Sequence, residues 1–141
     1  MNGMSVKKKL SSLGLSVDNS VVIGSGILNA LSIRESGDVD ITVDVEDYER
    51  LKATGQFIEK ISYGNKILEL DDLEIGTSWG VLGKQHFVSD LIEQSVVVDG
   101  VRYVTLKFLL DAKKSWLKDV EVRQKDIDDV KLIEKYMDTT R

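Results

Sequence analysis

Val22-Ile-Gly-Ser-Gly-Ile-Leu-Asn-Ala-Leu-Ser-Ile-Arg-Glu-Ser-Gly-Asp-Val-Asp-Ile-Thr-Val43 sets a glycine-serine turn ahead of two alternating carboxylates. Asp38-Val-Asp-Ile-Thr-Val43 has the period-two pattern of a half-buried strand, so Asp38 and Asp40 project from one face while Val39, Ile41 and Val43 pack on the other. Two parallel carboxylates repel each other and invite a divalent cation. Upstream, Ser20-Val-Val-Ile23 reads as a short apolar strand. Gly24-Ser25-Gly26 then permits a tight turn whose backbone N–H groups can approach an anion without side-chain obstruction. Ile27, Leu28, Ala30 and Leu31 continue at helical spacing, and strand, glycine turn and helix start together form a concavity suited to phosphate.

Ile23-Gly24-Ser25 and Asp38-Val39-Asp40-Ile41 fill the signature of the nucleotidyltransferase superfamily related to DNA polymerase beta, which the chain resembles: an apolar residue, Gly, Gly or Ser, a spacer, then Asp, apolar, Asp or Glu, apolar. Small bacterial members often carry Ala-Arg-Gly after the Gly-Ser, whereas Gly26-Ile27-Leu28-Asn29 follows here, which leaves the substrate class open. The resemblance implies an α/β (α+β) nucleotidyltransferase fold, a mixed sheet with flanking helices. It also implies transfer of a nucleoside monophosphate from an NTP to a hydroxyl of a small molecule, protein or RNA, with Mg²⁺ or Mn²⁺ held by Asp38 and Asp40. The family's third carboxylate lies on a neighbouring strand between apolar residues. Glu74 in Asp72-Leu-Glu-Ile75 matches it, with Asp71 and Asp72 as competitors at a strand junction. The competing class is a non-catalytic nucleotide binder or toxin–antitoxin partner that keeps the fold.

The resemblance resumes at Thr105 to Glu134, where small nucleotidyltransferase-like proteins carry a helix with a lysine followed by an Arg-x-Lys-Asp-x-x-Asp helix. Lys113, Arg123, Lys125, Asp126 and Asp129 occupy those positions, with a longer stretch, Ser115 to Val122, between them. Gly24, Ser25, Lys113, Arg123 and Lys125 are thereby expected at the nucleotide, the cations holding the triphosphate. Read from the residues alone, Lys125, Asp129 and Lys131 are a solvated helix face with Val130, Leu132, Ile133 and Tyr136 toward the core.

The remaining elements are punctuated by glycine, since the chain has no proline. Val45 to Thr54 reads as a helix ending near Gly55. Phe57 to Tyr63, Lys66 to Leu70 and Leu73 to Ser78 read as strands, the first two joined at Gly64-Asn65. Phe87 to Glu93 reads as a short helix, and Ser95 to Val98 pairs with Val101 to Val104 through Asp99-Gly100. Helices follow at Leu106 to Leu117 and Lys125 to Met137. Trp79 and Trp116 read as packing residues, and His86 as a loop or cap residue after Gly80-Val-Leu-Gly83.

Residues 1–141 read as one domain, with 105–141 a C-terminal two-helix segment. A composition 42% hydrophobic and 30% charged supports a single globular core. The net charge of −5 argues against gripping long nucleic acid, which needs clustered cations, and favours a small substrate or a protein partner. The absence of cysteine excludes disulfides and thiolate metal sites. Neither a secretion signal nor a membrane span is legible, so a cytoplasmic location is expected.

Overall fold

The computed structural model describes residues 5–140. The outer limits of the domain read from sequence, Met1 and Arg141, lie outside the described residues. In chain order the elements are α1 (Val6–Ser12), β1 (Ser20–Ile23), α2 (Gly26–Ala30), β2 (Val39–Val43), α3 (Val45–Ala53), β3 (Ile58–Ser62), β4 (Asn65–Leu70), β5 (Leu73–Gly76), β6 (Ser78–Val81), β7 (Lys84–Phe87), α4 (Val88–Glu93), β8 (Ser95–Val98), β9 (Val101–Val104), α5 (Leu106–Trp116) and α6 (Gln124–Thr139).

Seven strands form one mixed sheet in the order β3-β4-β5-β2-β1-β9-β8, and β6 and β7 form a separate hairpin. The central strand β2 runs antiparallel to β1 and parallel to β5. A parallel return from β1 to β2 would need a helix as long as the sheet is deep. With five residues, α2 advances only about 7 Å, so the chain turns back antiparallel. The parallel pairing with β5 is reached instead through α3 and the β3–β4 hairpin.

Side-chain alternation gives the sheet two cores. Val22, Val39, Ile41, Val43, Ile75 and Tyr103 face a cluster completed by Leu10, Leu28, Leu51, Leu109 and Ile133 from the helices. Val21 and Val104 face the opposite cluster, with Val81, Leu91, Phe108 and Ala112. Because Val39, Ile41 and Val43 turn to the first core, Asp40 and Thr42 project from the other face of β2. Asp44 caps α3 by accepting from the Asp47 N–H at 2.8 Å, and Thr105 caps α5 by accepting from Phe108 N–H at 3.1 Å.

Three details depart from the sequence reading. The first hairpin turns at Tyr63-Gly64 rather than Gly64-Asn65: both residues have positive φ, 50° and 81°, and Ser62 pairs with Asn65. The stretch expected as one strand to Ser78 ends at Gly76, and a new strand starts at Ser78. The glycine-bounded loop is itself a hairpin, with Leu82-Gly83 at its tip (φ 53° and 81°) and His86 in β7. His86 is therefore neither loop nor cap. It is buried against Phe108 edge to face, with Nε2 3.1 Å from the Val81 carbonyl. Trp79 packs against Phe108 and Trp116, as expected of core aromatics.

Candidate functional site

Asp40 is the point where the local elements converge. On one side it stands opposite Ile23, the last residue of β1, and on the other it is in register with Glu74 of β5. Asp38 lies one residue ahead of β2 and is exposed, while Asp40 and Glu74 are half-buried. Glu74 thus sits on the strand beside the Asp-Val-Asp strand, flanked by buried Leu73 and Ile75. Its competitors have other work. Asp72 accepts from the Lys9 ammonium of α1 at 2.7 Å, and Asp71 occupies the turn between β4 and β5 with φ 53°.

The glycine turn lies against the same carboxylate. Gly24 has φ +65°, a conformation glycine adopts without penalty, and a Cβ built there would stand 3.4 Å from Asp40 Oδ2. Ser25 occupies the N-cap position of α2, yet its hydroxyl makes no cap hydrogen bond. Gly26 has a different role from the one its place in the turn suggests. A Cβ there would fall 2.5 Å from Val22 Cγ1 and 3.6 Å from the Tyr103 ring, so Gly26 is small because β1 and β9 pack against it.

The electrostatics follow from this crowding. Burial, then the charges of Glu74 and Asp38, push the Asp40 carboxyl up to about 6, and Lys125 partly offsets them. Lys125 is exposed in the first turn of α6. Lys60 of β3, which sequence reasoning missed, donates to Glu69 at 2.5 Å and also feels Glu74 and Asp38. Those carboxylates, Glu69 first, hold its ammonium above the ordinary lysine range.

The other expected cations are placed differently. Lys113 is not at the mouth of the site: its side chain is 2% exposed, and its ammonium lies 2.8 Å from Asp126 Oδ1 and 2.9 Å from Asp129 Oδ2, with the Trp116 ring 5.5 Å away. Two acceptors and burial leave it no route to a phosphate in this arrangement. Arg123 is exposed but donates to both oxygens of Asp126 at 3.0 and 3.1 Å. Arg34, which the sequence did not single out, grips Asp129 through Nε at 2.6 Å and Nη2 at 2.7 Å. Burial opposes ionisation of Asp126 and Asp129, but hydrogen bonds from these cations prevail and hold both carboxyls below the ordinary range.

Among the described residues no group of three or more His, Cys, Asp or Glu side chains is placed to hold a metal ion. The donor chemistry still fits Mg²⁺ or Mn²⁺, which prefer hard oxygen ligands. Mg²⁺ in particular is commonly held by one or two carboxylates plus substrate phosphates rather than by an all-protein cage. Asp38 and Asp40 beside the Gly24 turn supply that kind of partial set. A concavity of about 700 Å³ lies elsewhere, between the β6–β7 hairpin and the end of α5, and none of the three carboxylates lines it. No described helix is long and apolar enough to cross a membrane.

No protein-family model matches this chain, and no curated protein matches it. Among solved structures it is similar to ANT(2'')-Ia, an antibiotic-resistance factor. In the crystal structure of that protein with adenylyl-2''-tobramycin the identity is 18%, covering 84% of this chain and 79% of the other, with a TM-score of 0.55. In its solution structure the identity is 17%, covering 84% and 75%, with a TM-score of 0.51. It is also similar to TM1012 of Thermotoga maritima, provisionally designated a nucleotidyltransferase: 18% identity over 98% of each chain, TM-score 0.51. The chain therefore has a nucleotidyltransferase-like fold, with the seven-stranded mixed sheet and flanking helices.

Proposed function

We propose that this chain is a nucleotidyltransferase that moves a nucleoside monophosphate from an NTP to a hydroxyl of a small molecule. The observation that carries the reading is the register of Asp40 with Glu74 directly against the Gly24 turn. In the reaction the acceptor hydroxyl oxygen bonds to the α-phosphorus, the bond from that phosphorus to the β-phosphate bridge breaks, and pyrophosphate leaves. Glu74 would take the hydroxyl proton, directly or through water. Backbone N–H groups at Gly24-Ser25, the Ser25 hydroxyl and Lys125 would bind the triphosphate, with Lys125 offsetting charge that moves to the pyrophosphate. Asp38 and Asp40, with Glu74 beside them, would hold Mg²⁺ or Mn²⁺, which when bound neutralises phosphate oxygens.

A small acceptor is favoured over a long nucleic acid by the net charge of −5. ANT(2'')-Ia, bound to a nucleotidylated antibiotic, supports the same substrate class. The test is pyrophosphate release from ATP or GTP with Mg²⁺ and a panel of polyhydroxylated acceptors, using Asp40→Asn as the control. The same assay separates a second reading, NTP binding without turnover by a sensor or toxin–antitoxin partner. Stabilisation by NTP without pyrophosphate release would select it.

A further inference from the structure

We infer that Arg34 is a positioning residue: by fastening Asp129, it locks the first turns of α6 to the segment that enters β2 and so holds Lys125 at the carboxylate end of the sheet. The inference rests on the reading of Lys125 as a nucleotide contact. Arg34 is four residues ahead of Asp38 in the chain, and its guanidinium reaches Asp129 with two donors at 2.6 and 2.7 Å. A bidentate fork fixes orientation as well as distance, which a single ammonium contact does not. Asp129 in turn shares Lys113 with Asp126, and Asp126 receives Arg123, so three cations and two aspartates tie the Arg34 segment, α5 and α6 into one cluster.

The helix period then directs the next step. Lys125 precedes Asp129 by four residues and shares its face of α6. Asp129 is pinned to the segment just ahead of Asp38, so the same face one turn earlier presents Lys125 toward Asp38 and Asp40. The two aspartates of the Arg-x-Lys-Asp-x-x-Asp run are thereby buried anchors, the exposed Arg123 is engaged with Asp126, and the exposed Lys125 is the cation placed to meet a ligand.

The test is a double-variant cycle on MgATP affinity, read by calorimetry, with amide hydrogen exchange over residues 124–129. Lys125→Gln is expected to raise the ATP Kd about tenfold or more, and Arg34→Gln about fivefold, while Arg34→Gln added to Lys125→Gln changes it little further. Exchange in the first turns of α6 is expected to accelerate in Arg34→Gln. Arg34→Lys, which keeps the charge and loses the fork, should fall between and guards against a variant that fails to fold. Unchanged exchange, or losses that simply add, overturns the positioning role while leaving nucleotide binding in place. Wild-type protein that does not bind ATP overturns the nucleotide reading, and the inference with it.

Discussion

Asp40 on β2 and Glu74 on β5 stand in register across a parallel strand pair, with the Gly24 turn against the Asp40 carboxylate. The fold places like charges side by side on adjacent strands, an arrangement that costs stability when the carboxyls are ionised.

That cost is measurable as a pH dependence. The Asp40 carboxyl is raised from an ordinary 3.8 to about 6, first by burial and then by Glu74 and Asp38, so its ionised form is disfavoured in the folded state. The penalty is absent below about pH 4, grows as pH rises through about 6, and is full above it. Asp40→Asn should therefore be more stable than wild type at pH 7.5 by on the order of 2 kcal/mol, with the gap closing near pH 4. Urea melts in metal-free buffer measure this, and a gap independent of pH would refute it.

Buried and exposed lysines on α5 should differ sharply. Lys113→Ala removes a fully buried ammonium shared by Asp126 and Asp129, and is expected to cost about 3 to 5 kcal/mol. Lys107→Ala removes only an exposed pair with Asp111 and should cost under about 1 kcal/mol. Chemical denaturation of the two variants compares them directly.

The two glycines of the turn should fail for different reasons. Gly26→Ala forces a methyl to within 2.5 Å of the buried Val22 side chain and should cost about 1 to 3 kcal/mol with no ligand present. Gly24→Ala has room at 3.4 Å but sits at φ +65°, so its cost should be about 1 to 2 kcal/mol of backbone strain, with ATP affinity falling as well. Melting curves with and without MgATP separate the two effects.

Charge reversal on α6 should discriminate by position. Lys125→Glu is expected to cost about 1.5 to 3 kcal/mol of ATP binding and to weaken its salt dependence, whereas the exposed Lys131→Glu should cost much less. Equal losses at the two positions, measured by calorimetry at two salt concentrations, would contradict a specific role for Lys125.

The strand–turn–helix–strand core of the site was legible because its signals are local. Alternation fixes the face of Asp40, and apolar neighbours on both sides single out Glu74, whose strand pairs beside that of Asp40. The chain's turn at Asp99-Gly100 was legible for the same reason. The cation cluster was not, because Arg34 and Asp129 are 95 residues apart and a charged residue at a helical position looks the same whether it faces water or a distant partner. Lys113 illustrates the point: its sequence context suggests a reaching cation, and only the tertiary pairing reveals a buried one. Helix α1 is not legible because its lysines mask the apolar spacing, although Leu10 is buried and Lys9 pairs with Asp72. The β6–β7 hairpin is not legible because its strands are four residues each, β7 is polar up to Phe87, and its turn places Leu82 at positive φ.

In the proposed function Asp38 and Asp40, the latter against the Gly24 turn, bind an NTP together with a divalent cation. That binding is tested most directly by calorimetric titration of MnATP into wild type and into Asp38→Asn/Asp40→Asn. The predicted result is saturable binding to wild type and none to the double variant, which should melt at the same temperature as metal-free wild type or higher. A folded double variant that binds MnATP as tightly as wild type would rule out Asp38 and Asp40 as the metal and nucleotide site.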